Sequence, residues 1–512
     1  MEPSPSTPGD EFENHLQDCG LVLNEDGFVR WRNDNPKHPR NWSSSLKAYG
    51  TIIILLLEFI TSATGTAGTS AAQEMQNDFG VSLSLSIFCL TSMYLIGQGI
   101  GGIFFPPYSE VFGRKTLYIV STFVYTIFSI ITAAVHSLPA IIIARFLSGL
   151  ASAIPTIVVA GSMEDMYNVR SRVWMIFVWA VVGNAAVCVG PIYSSYVTLN
   201  LGWRWVFWMA AIGLGILLIF CLFLKETRPS KILEREVASL RMLVPDREIK
   251  TLNPDSVPDV KTLFTVTLSR PLRLLLTEPI ILIVAFMGSV TCALFYLQAE
   301  SLLLVFEAYG WSIATASLAF IPILLGCMAS TFTRFYDHNK LAKITSQRKV
   351  VEPEDKLTGF AIAAPCLAGG LWVFAWTIPP KTQVHWIVPM VAQFFVGFAL
   401  NENVYTLTGY LADSYTIYAA SGFAGLILAR ASTCAVIVPF TRQMYVNLGY
   451  NIASSVLAAV ATLFCAAPIV FIKFGRKIRN SSQFAKWSLS VYNSNKVDDN
   501  GNTSGSCGET EV

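Results

Sequence analysis

Twelve long apolar stretches run through this chain of 512 residues and constrain its fold more than any other feature. A helix needs about 20 predominantly apolar residues to cross the hydrocarbon core of a bilayer. The stretches, numbered 1 to 12 here, are centred near residues 59, 95, 125, 150, 186, 213, 287, 322, 368, 398, 428 and 461. Charged residues make up 14% of the chain, against about a quarter in a soluble domain. The sequence therefore predicts an all-α membrane protein with twelve transmembrane helices.

One long polar segment divides the twelve stretches into two groups of six. We predict an N-terminal tail at residues 1–46, a six-helix bundle at 47–224, a linker at 225–275, a second six-helix bundle at 276–473 and a tail at 474–512. Two six-helix halves joined by a linker are a transporter layout. The last tail is rich in Asn, Asp, Gly and Ser after Lys496, which predicts disorder.

Lysine and arginine are concentrated on one predicted side of the membrane. They cluster in the linker, in the loop after stretch 8 and in the C-terminal tail, whereas the other side holds Arg204, Lys381 and Arg442. Cytoplasmic loops carry such an excess, so we predict that both termini are cytoplasmic. The first 45 residues have no apolar core, which argues against a cleavable signal peptide.

Glu58 is the first candidate for chemistry, because it lies near the middle of stretch 1. An ionisable residue at a helix centre costs about 2.5–3.5 kcal/mol on insertion scales, so it needs a reason. Thr61, Ser62 and Thr66 follow at helical spacing and form a polar stripe on the same face. We predict that Glu58 carries a proton and that Ser62 lines a substrate cavity. The alternative is a neutral structural acid, hydrogen-bonded to a neighbouring helix.

Arg145 in stretch 4 is followed on one helical face by small and polar residues that include Ser152 and Thr156. Such a face is suited to lining water or to packing closely against another helix. We predict that Arg145 assists Glu58 in proton coupling and that Ser152 lines the cavity. A static ion pair of Arg145 with an acid is the alternative.

Stretch 10 contains three successive polar residues, Asn401-Glu402-Asn403, which cannot all face lipid. We predict Glu402 as a third proton-coupling candidate. Arg430 in stretch 11 is predicted to pair with Asp413 or Glu402, and the Asp413–Arg430 pair would brace the structure. The remaining candidates for the substrate cavity are Asn184, Tyr296, Glu300, Asn401 and Tyr405, with a solvated position at the cavity mouth as the alternative for Glu300.

A charged turn that contains glycine, Ser109-Glu110-Val111-Phe112-Gly113-Arg114-Lys115, separates stretches 2 and 3. Glycine permits a backbone reversal that a side chain would hinder, and the acid is close enough in sequence to pair with a cation. We predict a conformational latch made of Glu110, Gly113, Arg114 and Lys115. In stretch 5, Gly190-Pro191 joins a small residue to a helix-bending proline. It predicts a gating or packing helix between the halves.

No pattern in the sequence indicates enzyme chemistry. The five histidines show no metal-ligand spacing, the ten cysteines form no CxxC pair, and the sequence has no phosphate-binding Gly-Lys-Ser/Thr loop. We predict no metal site, no cofactor and no catalytic residues. The net charge of +2 gives no reason to expect a nucleic-acid partner.

Taken together, residues 36–487 resemble the major facilitator superfamily. The charged turn is similar to its loop signature G-x-x-x-D/E-x-x-G-R-K/R, with Pro106 where glycine is usual. Gly190-Pro191 resembles its antiporter motif, with Ser194-Ser195 in place of the closing Gly-Gly. Further segments resemble the fungal branch of twelve-span drug:proton antiporters, namely Asn41-Trp42-Ser43, Leu201–Trp208, Lys225–Pro229, Tyr410–Tyr415 and Met444-Tyr445.

The resemblance implies alternating access, export and proton coupling in a plasma membrane. The expected partners are a small organic molecule (a drug, a toxin or a secondary metabolite), protons and the lipid bilayer, and the expected state is a monomer. Export of polyamines and uptake by proton symport or uniport remain open alternatives within transport. A membrane sensor that does not transport is a further alternative from another functional class.

Overall fold

The computed structural model describes residues 16, 20–23, 28–32, 34–243, 250–251, 269–346, 353–380, 384–415 and 419–481. Within them, twelve helices are long and apolar enough to cross a membrane, which confirms the predicted fold class. Numbered as spans 1 to 12, they are Ser44–Phe79, Leu83–Pro106, Arg114–Ala134, Leu138–Met166, Ser171–Leu201, Trp203–Leu222, Pro279–Ala308, Ile313–Leu341, Thr358–Thr377, Ile387–Ala412, Gly422–Leu448 and Tyr450–Ile478. The tail predicted to be disordered after Lys496 lies outside the described residues.

The helices pack in two groups that repeat one pattern. In the first group, span 1 packs against span 5, span 2 against span 4, and span 3 against span 6. In the second group, the corresponding pairs are span 7 with span 11, span 8 with span 10, and span 9 with span 12. A fold built from two repeated halves forms its binding site where the repeats meet. The predicted residue boundaries of the two bundles stay a prediction.

The two halves contact each other through span 2 with span 11 and through span 5 with spans 8 and 10. Glycines permit the first contact, because a Cβ atom added at Gly99 would lie 3.0 Å from the Cβ of Ala431. Small residues allow helix backbones to approach closely in a membrane. Aromatic side chains add to the second contact, where the ring of Trp174 lies 5.2 Å from that of Phe335.

The N-terminal tail and the linker form a small layer beside the helices. Strands β1 (Leu21–Leu23) and β2 (Phe28–Trp31) pair antiparallel, and β3 (Lys250–Thr251) pairs parallel with β2. The linker helix Pro229–Leu243 packs against them, and a buried apolar cluster joins Leu16, Leu21, Val29, Leu233 and Val237. The tail and the linker, predicted as separate segments, therefore contact each other. The other short helices are Pro39–Asn41, Ser269–Thr277 and Pro353–Lys356.

Candidate functional site

Glu58 is buried in span 1, with 3% of its surface exposed. Its two carboxylate oxygens accept hydrogen bonds from hydroxyl groups, at 3.1 Å from Ser62 Oγ and 2.9 Å from Thr156 Oγ1. Among the described residues, no Lys, Arg or His forms an ion pair with Glu58. Hydroxyl partners supply hydrogen bonds without a counter-charge, and a buried carboxylate without a counter-charge is costly.

A wide helical turn in span 4 brings Thr156 to Glu58. Residues Ile154–Val158 form a π-helical turn, and Pro155 within it has no backbone N–H to donate. Turns of this kind inside α-helices occur frequently at functional sites. The hydroxyl of Thr156 also lies 2.9 Å from the carbonyl oxygen of Ser152. The contact thus depends on a local departure from regular helix geometry.

Arg145 does not contact Glu58, contrary to the prediction that the two act as neighbours. Its Nε donates to the Leu90 carbonyl at 2.7 Å, and its Nη2 donates to the Thr64 carbonyl at 3.3 Å. Its guanidinium carbon lies 4.7 Å from the centre of the Tyr94 ring. Leu90 belongs to a second π-helical turn, Phe88–Ser92. Arg145 therefore ties spans 1, 2 and 4 together through backbone carbonyls rather than through an ion pair.

Ser152, predicted to line the cavity, is fully buried. Its Oγ donates to the carbonyl oxygen of Gly149 at 2.6 Å within its own helix.

The turn between spans 2 and 3 is held by acids that lie far away in sequence. Arg114 Nε donates to Asp165 at 2.6 Å, and the Arg114 backbone N–H donates to Glu226 Oε1 at 2.9 Å. The Lys115 backbone N–H donates to Glu226 Oε2 at 3.1 Å. Glu226 thus accepts from the first N–H groups of span 3, which have no partner inside the helix. The side chain of Glu110, the predicted latch acid, lies outside the described residues.

Gly113 has a backbone φ of +90°, and an added Cβ would lie 2.6 Å from Glu226 Oε2. The described contacts of the latch residues Gly113, Arg114 and Lys115 run to span 4 and to the start of the linker. The turn is therefore a junction inside the first half. Asp165 and Glu226 were not among the residues predicted for the latch.

Gly190 and Pro191 make span 5 pack closely on span 1. A Cβ atom added at Gly190 would lie 2.2 Å from Thr66 Oγ1 and 2.4 Å from the Ala63 carbonyl oxygen. Ser70 Oγ on span 1 donates to the carbonyl oxygen of Pro191 at 3.4 Å. Pro191 lies inside the helix of span 5. The motif thus faces span 1 within the first half, while Cys188 on the same span belongs to a buried cluster with spans 7 and 8.

Two predicted cavity residues, Asn184 and Asn401, meet across the boundary between the halves. Asn184 Nδ2 donates to Asn401 Oδ1 at 2.7 Å, and Asn401 Nδ2 donates to Ser330 Oγ at 2.7 Å. The chain of amides and hydroxyl links span 5 to spans 10 and 8. Asn184 and Asn401 are separated by 217 positions. The sequence predicted each as a cavity residue, and the structure shows that they contact each other.

Glu300 and Tyr296 lie on one face of span 7, also at the boundary between the halves. Thr69 Oγ1 on span 1 donates to Glu300 Oε1 at 2.6 Å. Tyr296 packs against buried clusters of both halves. The hydrogen bond links the C-terminal halves of spans 1 and 7, because Thr69 lies within Ser44–Phe79 and Glu300 lies within Pro279–Ala308.

Glu402 forms an ion pair with Arg334, so its predicted pairing with Arg430 is wrong. Arg334 and Thr333 both donate to the Glu402 carboxylate, and Arg334 also lies 3.1 Å from Asp337. Tyr405 lies beside this network, with the Arg334 guanidinium carbon 4.2 Å from its ring centre. Glu402 is completely buried. The prediction failed because span 8 continues to Leu341. Arg334 therefore lies in this helix and not in the loop after stretch 8.

Arg430 on span 11 is partly buried and lines a narrow crevice between spans 7, 10 and 11. The other lining residues are Gly288, Thr291, Val404, Leu407, Thr408 and Leu426. The side chain of Asp413, its predicted bracing partner, lies outside the described residues. Within the part of the chain that is described, no cluster of three or more His, Cys, Asp or Glu side chains could hold a metal ion.

Comparisons with known proteins identify the family and support the fold. The family model described as Major Facilitator Superfamily matches residues 53–433. Among curated proteins, the chain is 28% identical to the efflux pump radE of Floropilus chiversii, covering 93% of this chain and 90% of that protein. It is 28% identical to polyamine transporter 3 of Saccharomyces cerevisiae, covering 90% and 74%. The xylose transporter XylE of E. coli in a partially occluded inward-open conformation shares the fold, with 14% identity, a TM-score of 0.58 and coverage of 84% and 98%.

Proposed function

The chain belongs to the major facilitator superfamily, and from this premise we propose that it exports small organic molecules in exchange for protons by alternating access. As a member of that family with twelve membrane-spanning helices, it is an integral multi-pass membrane transporter. The observation that carries the proposal of proton exchange is Glu58, a buried carboxyl group that no described cation neutralises. The efflux pump among its relatives supports the direction of transport.

In the proposed cycle, Glu58 takes up a proton when the site opens to the outer side and releases it when the site opens to the cytoplasm. Ser62 and Thr156 are hydroxyl groups, which can donate to a carboxylate and accept from a carboxylic acid. They therefore hold the side chain in both protonation states. Arg145 keeps spans 1, 2 and 4 in register around this site and takes no proton itself.

Alternating access requires contacts between the halves that form in one state and break in another. Two hydrogen bonds cross between the halves, the amide contact of Asn184 with Asn401 and the contact of Thr69 with Glu300, and we assign this role to them. We assign the second to the gate on the outer side. The junction at Arg114 keeps the cytoplasmic end of the first half rigid, so the half moves as one body.

The proposal has three further features, of which the first follows the positive-inside rule. Both termini lie in the cytoplasm, the protein lies in the plasma membrane, and it acts as a monomer. Export of polyamines is the second candidate, favoured by two buried or partly buried carboxyl groups, Glu58 in the first half and Glu300 at the boundary between the halves, that form no ion pair within the described residues. A relative named as a polyamine transporter supports it.

The decisive experiment measures efflux from proteoliposomes with an imposed proton gradient. The panel holds a cationic dye (rhodamine 123), an anionic dye (fluorescein) and spermidine. Glu58→Gln keeps the shape and one acceptor oxygen, replaces the other oxygen by an NH2 donor that a hydroxyl oxygen can accept from, and cannot release a proton. We expect this variant to lose gradient-driven transport. Its amount in the membrane and its elution profile in size-exclusion chromatography should stay unchanged. Full gradient-driven transport by Glu58→Gln would refute the assignment.

A further inference from the structure

Arg430 differs from the other buried arginines of the membrane spans. Arg114 pairs with Asp165, Arg334 pairs with Glu402, and Arg145 donates to two backbone carbonyls. Arg430 is partly exposed to the crevice between spans 7, 10 and 11. Within the described residues, no carboxylate lies at ion-pair distance from it, and it forms no hydrogen bond to a backbone carbonyl. A cation inside a membrane span is costly unless a partner or water reaches it.

Arg430 contacts the sulfur of Cys292 on span 7 through a side-chain hydrogen bond. Cys434 lies one turn further along span 11, and its sulfur is 2.9 Å from the sulfur of Cys292 on span 7. Tyr296 lies one turn beyond Cys292 on span 7. Glu300 is two turns beyond Cys292 and is hydrogen-bonded to Thr69. The protein thus leaves the guanidinium charge without a carboxylate of its own.

The crevice beside Arg430 is narrow, with room for about one water molecule in this conformation, so it must widen before it admits an organic molecule, but its lining is amphipathic. Val404, Leu407 and Leu426 give it apolar walls, and Thr291 and Thr408 add two hydroxyl groups. The end of this region reaches the boundary between the halves, because Cys434 belongs to the same buried cluster as Leu57 of span 1, the neighbour of Glu58. Sites for small molecules are typically apolar with a few polar groups that fix orientation.

We propose that Arg430 binds the anionic group of the exported molecule, and that the substrates are amphipathic organic anions whose apolar part lies against spans 7, 10 and 11. This inference rests on the proposed function and names its substrate class. A guanidinium group binds a carboxylate through two parallel hydrogen bonds, whereas it repels an ammonium group. The site therefore selects against polyamines, the second candidate substrates.

The test uses Cys292 as a reporter of occupancy in the full-length purified protein. In a variant that keeps Cys292 as its single cysteine, the rate of alkylation by N-ethylmaleimide is measured with 4-phenylbutyrate or with 4-phenylbutylamine. The two probes share a carbon skeleton and carry opposite charges. We expect the acid to slow alkylation about fivefold or more and the amine to leave the rate unchanged. Arg430→Gln should weaken protection by the acid about tenfold, the loss expected for one charge-assisted contact.

Two control variants separate recognition from a folding defect. Arg430→Lys retains the charge without the planar fork and should keep part of the protection. Arg172→Gln changes an arginine that pairs with Glu164 outside the crevice, and should keep all of it. For each variant, protection is the ratio of the alkylation rates without and with the probe, because loss of the Arg430 charge by itself changes the reactivity of the Cys292 thiol.

Three results would overturn the inference: equal protection by acid and amine, no protection by the acid, or protection that survives Arg430→Gln. Failure of the inference and failure of the proposed function are distinguishable. If gradient-driven efflux of any dye or of spermidine depends on Glu58 while the acid does not protect Cys292, only the substrate class is wrong. If no gradient-driven transport occurs although the acid protects Cys292, proton-coupled export is wrong.

Discussion

At the scale of single residues, the buried charged side chains of the membrane spans are stabilised by three kinds of partner. Glu58 accepts from two hydroxyl groups, Arg145 donates to carbonyls, and Glu402 is neutralised by Arg334. Burial of one partner of an ion pair without the other is strongly unfavourable. The identity of the partner therefore decides which side chains are structural and which remain available for transport.

The network around Arg334 makes an asymmetric prediction for stability. Arg334→Leu leaves two buried acids, Glu402 and Asp337, without their shared cation, whereas Glu402→Leu leaves Arg334 still paired with Asp337. We expect Arg334→Leu to destabilise by about 3–5 kcal/mol and Glu402→Leu by clearly less. Thermal unfolding of the detergent-purified protein measures both.

The matched control for this prediction is Arg172→Leu, which breaks a partly exposed pair with Glu164 and should cost less than about 1 kcal/mol. Equal destabilisation by Arg334→Leu and Glu402→Leu would show that Asp337 does not support Arg334.

At the scale of elements, irregular turns rather than regular helices position the site. Two π-helical turns place Thr156 beside Glu58 and expose the Leu90 carbonyl to Arg145. The turn between spans 2 and 3 is fixed by Glu226, which accepts from the first N–H groups of span 3. Each of these features comes from contacts between helices that the spacing of residues along one helix does not reveal.

Replacement of Gly113 tests the junction at this scale. With φ at +90° and an added Cβ only 2.6 Å from Glu226 Oε2, Gly113→Ala should destabilise by about 1–3 kcal/mol and lower the melting temperature. The control is Gly215→Ala in span 6, where an added Cβ meets no atom within 4 Å and where alanine favours the helix. A Gly113→Ala protein as stable as the Gly215→Ala protein would contradict the geometry of the junction.

At the scale of the whole molecule, the two halves repeat one packing pattern and touch through a few polar and small-residue contacts. The three pairs of packed helices described for spans 1 to 6 have counterparts in spans 7 to 12. The hydrogen bonds Asn184–Asn401 and Thr69–Glu300 cross the boundary between the halves. Contacts within a half are far more extensive than those between halves. Relative movement of two rigid bundles is the motion that this arrangement favours.

Reversible cross-linking tests that motion. In a variant without native cysteines, Thr69→Cys with Glu300→Cys should permit a disulfide between spans 1 and 7, and transport should fall to about a tenth or less and return after reduction. The control is a cross-link inside one half, made in a second variant that keeps Cys221 as its single native cysteine and carries Thr122→Cys, because these two side chains lie close together. Undiminished transport with the first cross-link fully formed would argue against a gate at Thr69 and Glu300.

The twelve spans, the division into two sixes and the resemblance of the charged turn follow from the sequence alone. Apolar length is a local property, since a helix in a bilayer must satisfy its own backbone hydrogen bonds whatever its neighbours are. Glu58 can likewise be identified from the sequence, because the free-energy cost of placing an acid in an apolar helix follows from its position alone.

The partners of those residues were decided by the tertiary structure. Arg334 rather than Arg430 neutralises Glu402, Asp165 and Glu226 hold the latch turn, and Asn184 meets Asn401 from 217 residues away. Electrostatic and hydrogen-bond energies depend on distances between side chains, and the packing of helices from distant parts of the chain sets those distances. A polar residue in a span can be identified from the sequence, but its role depends on the side chains that the fold places next to it.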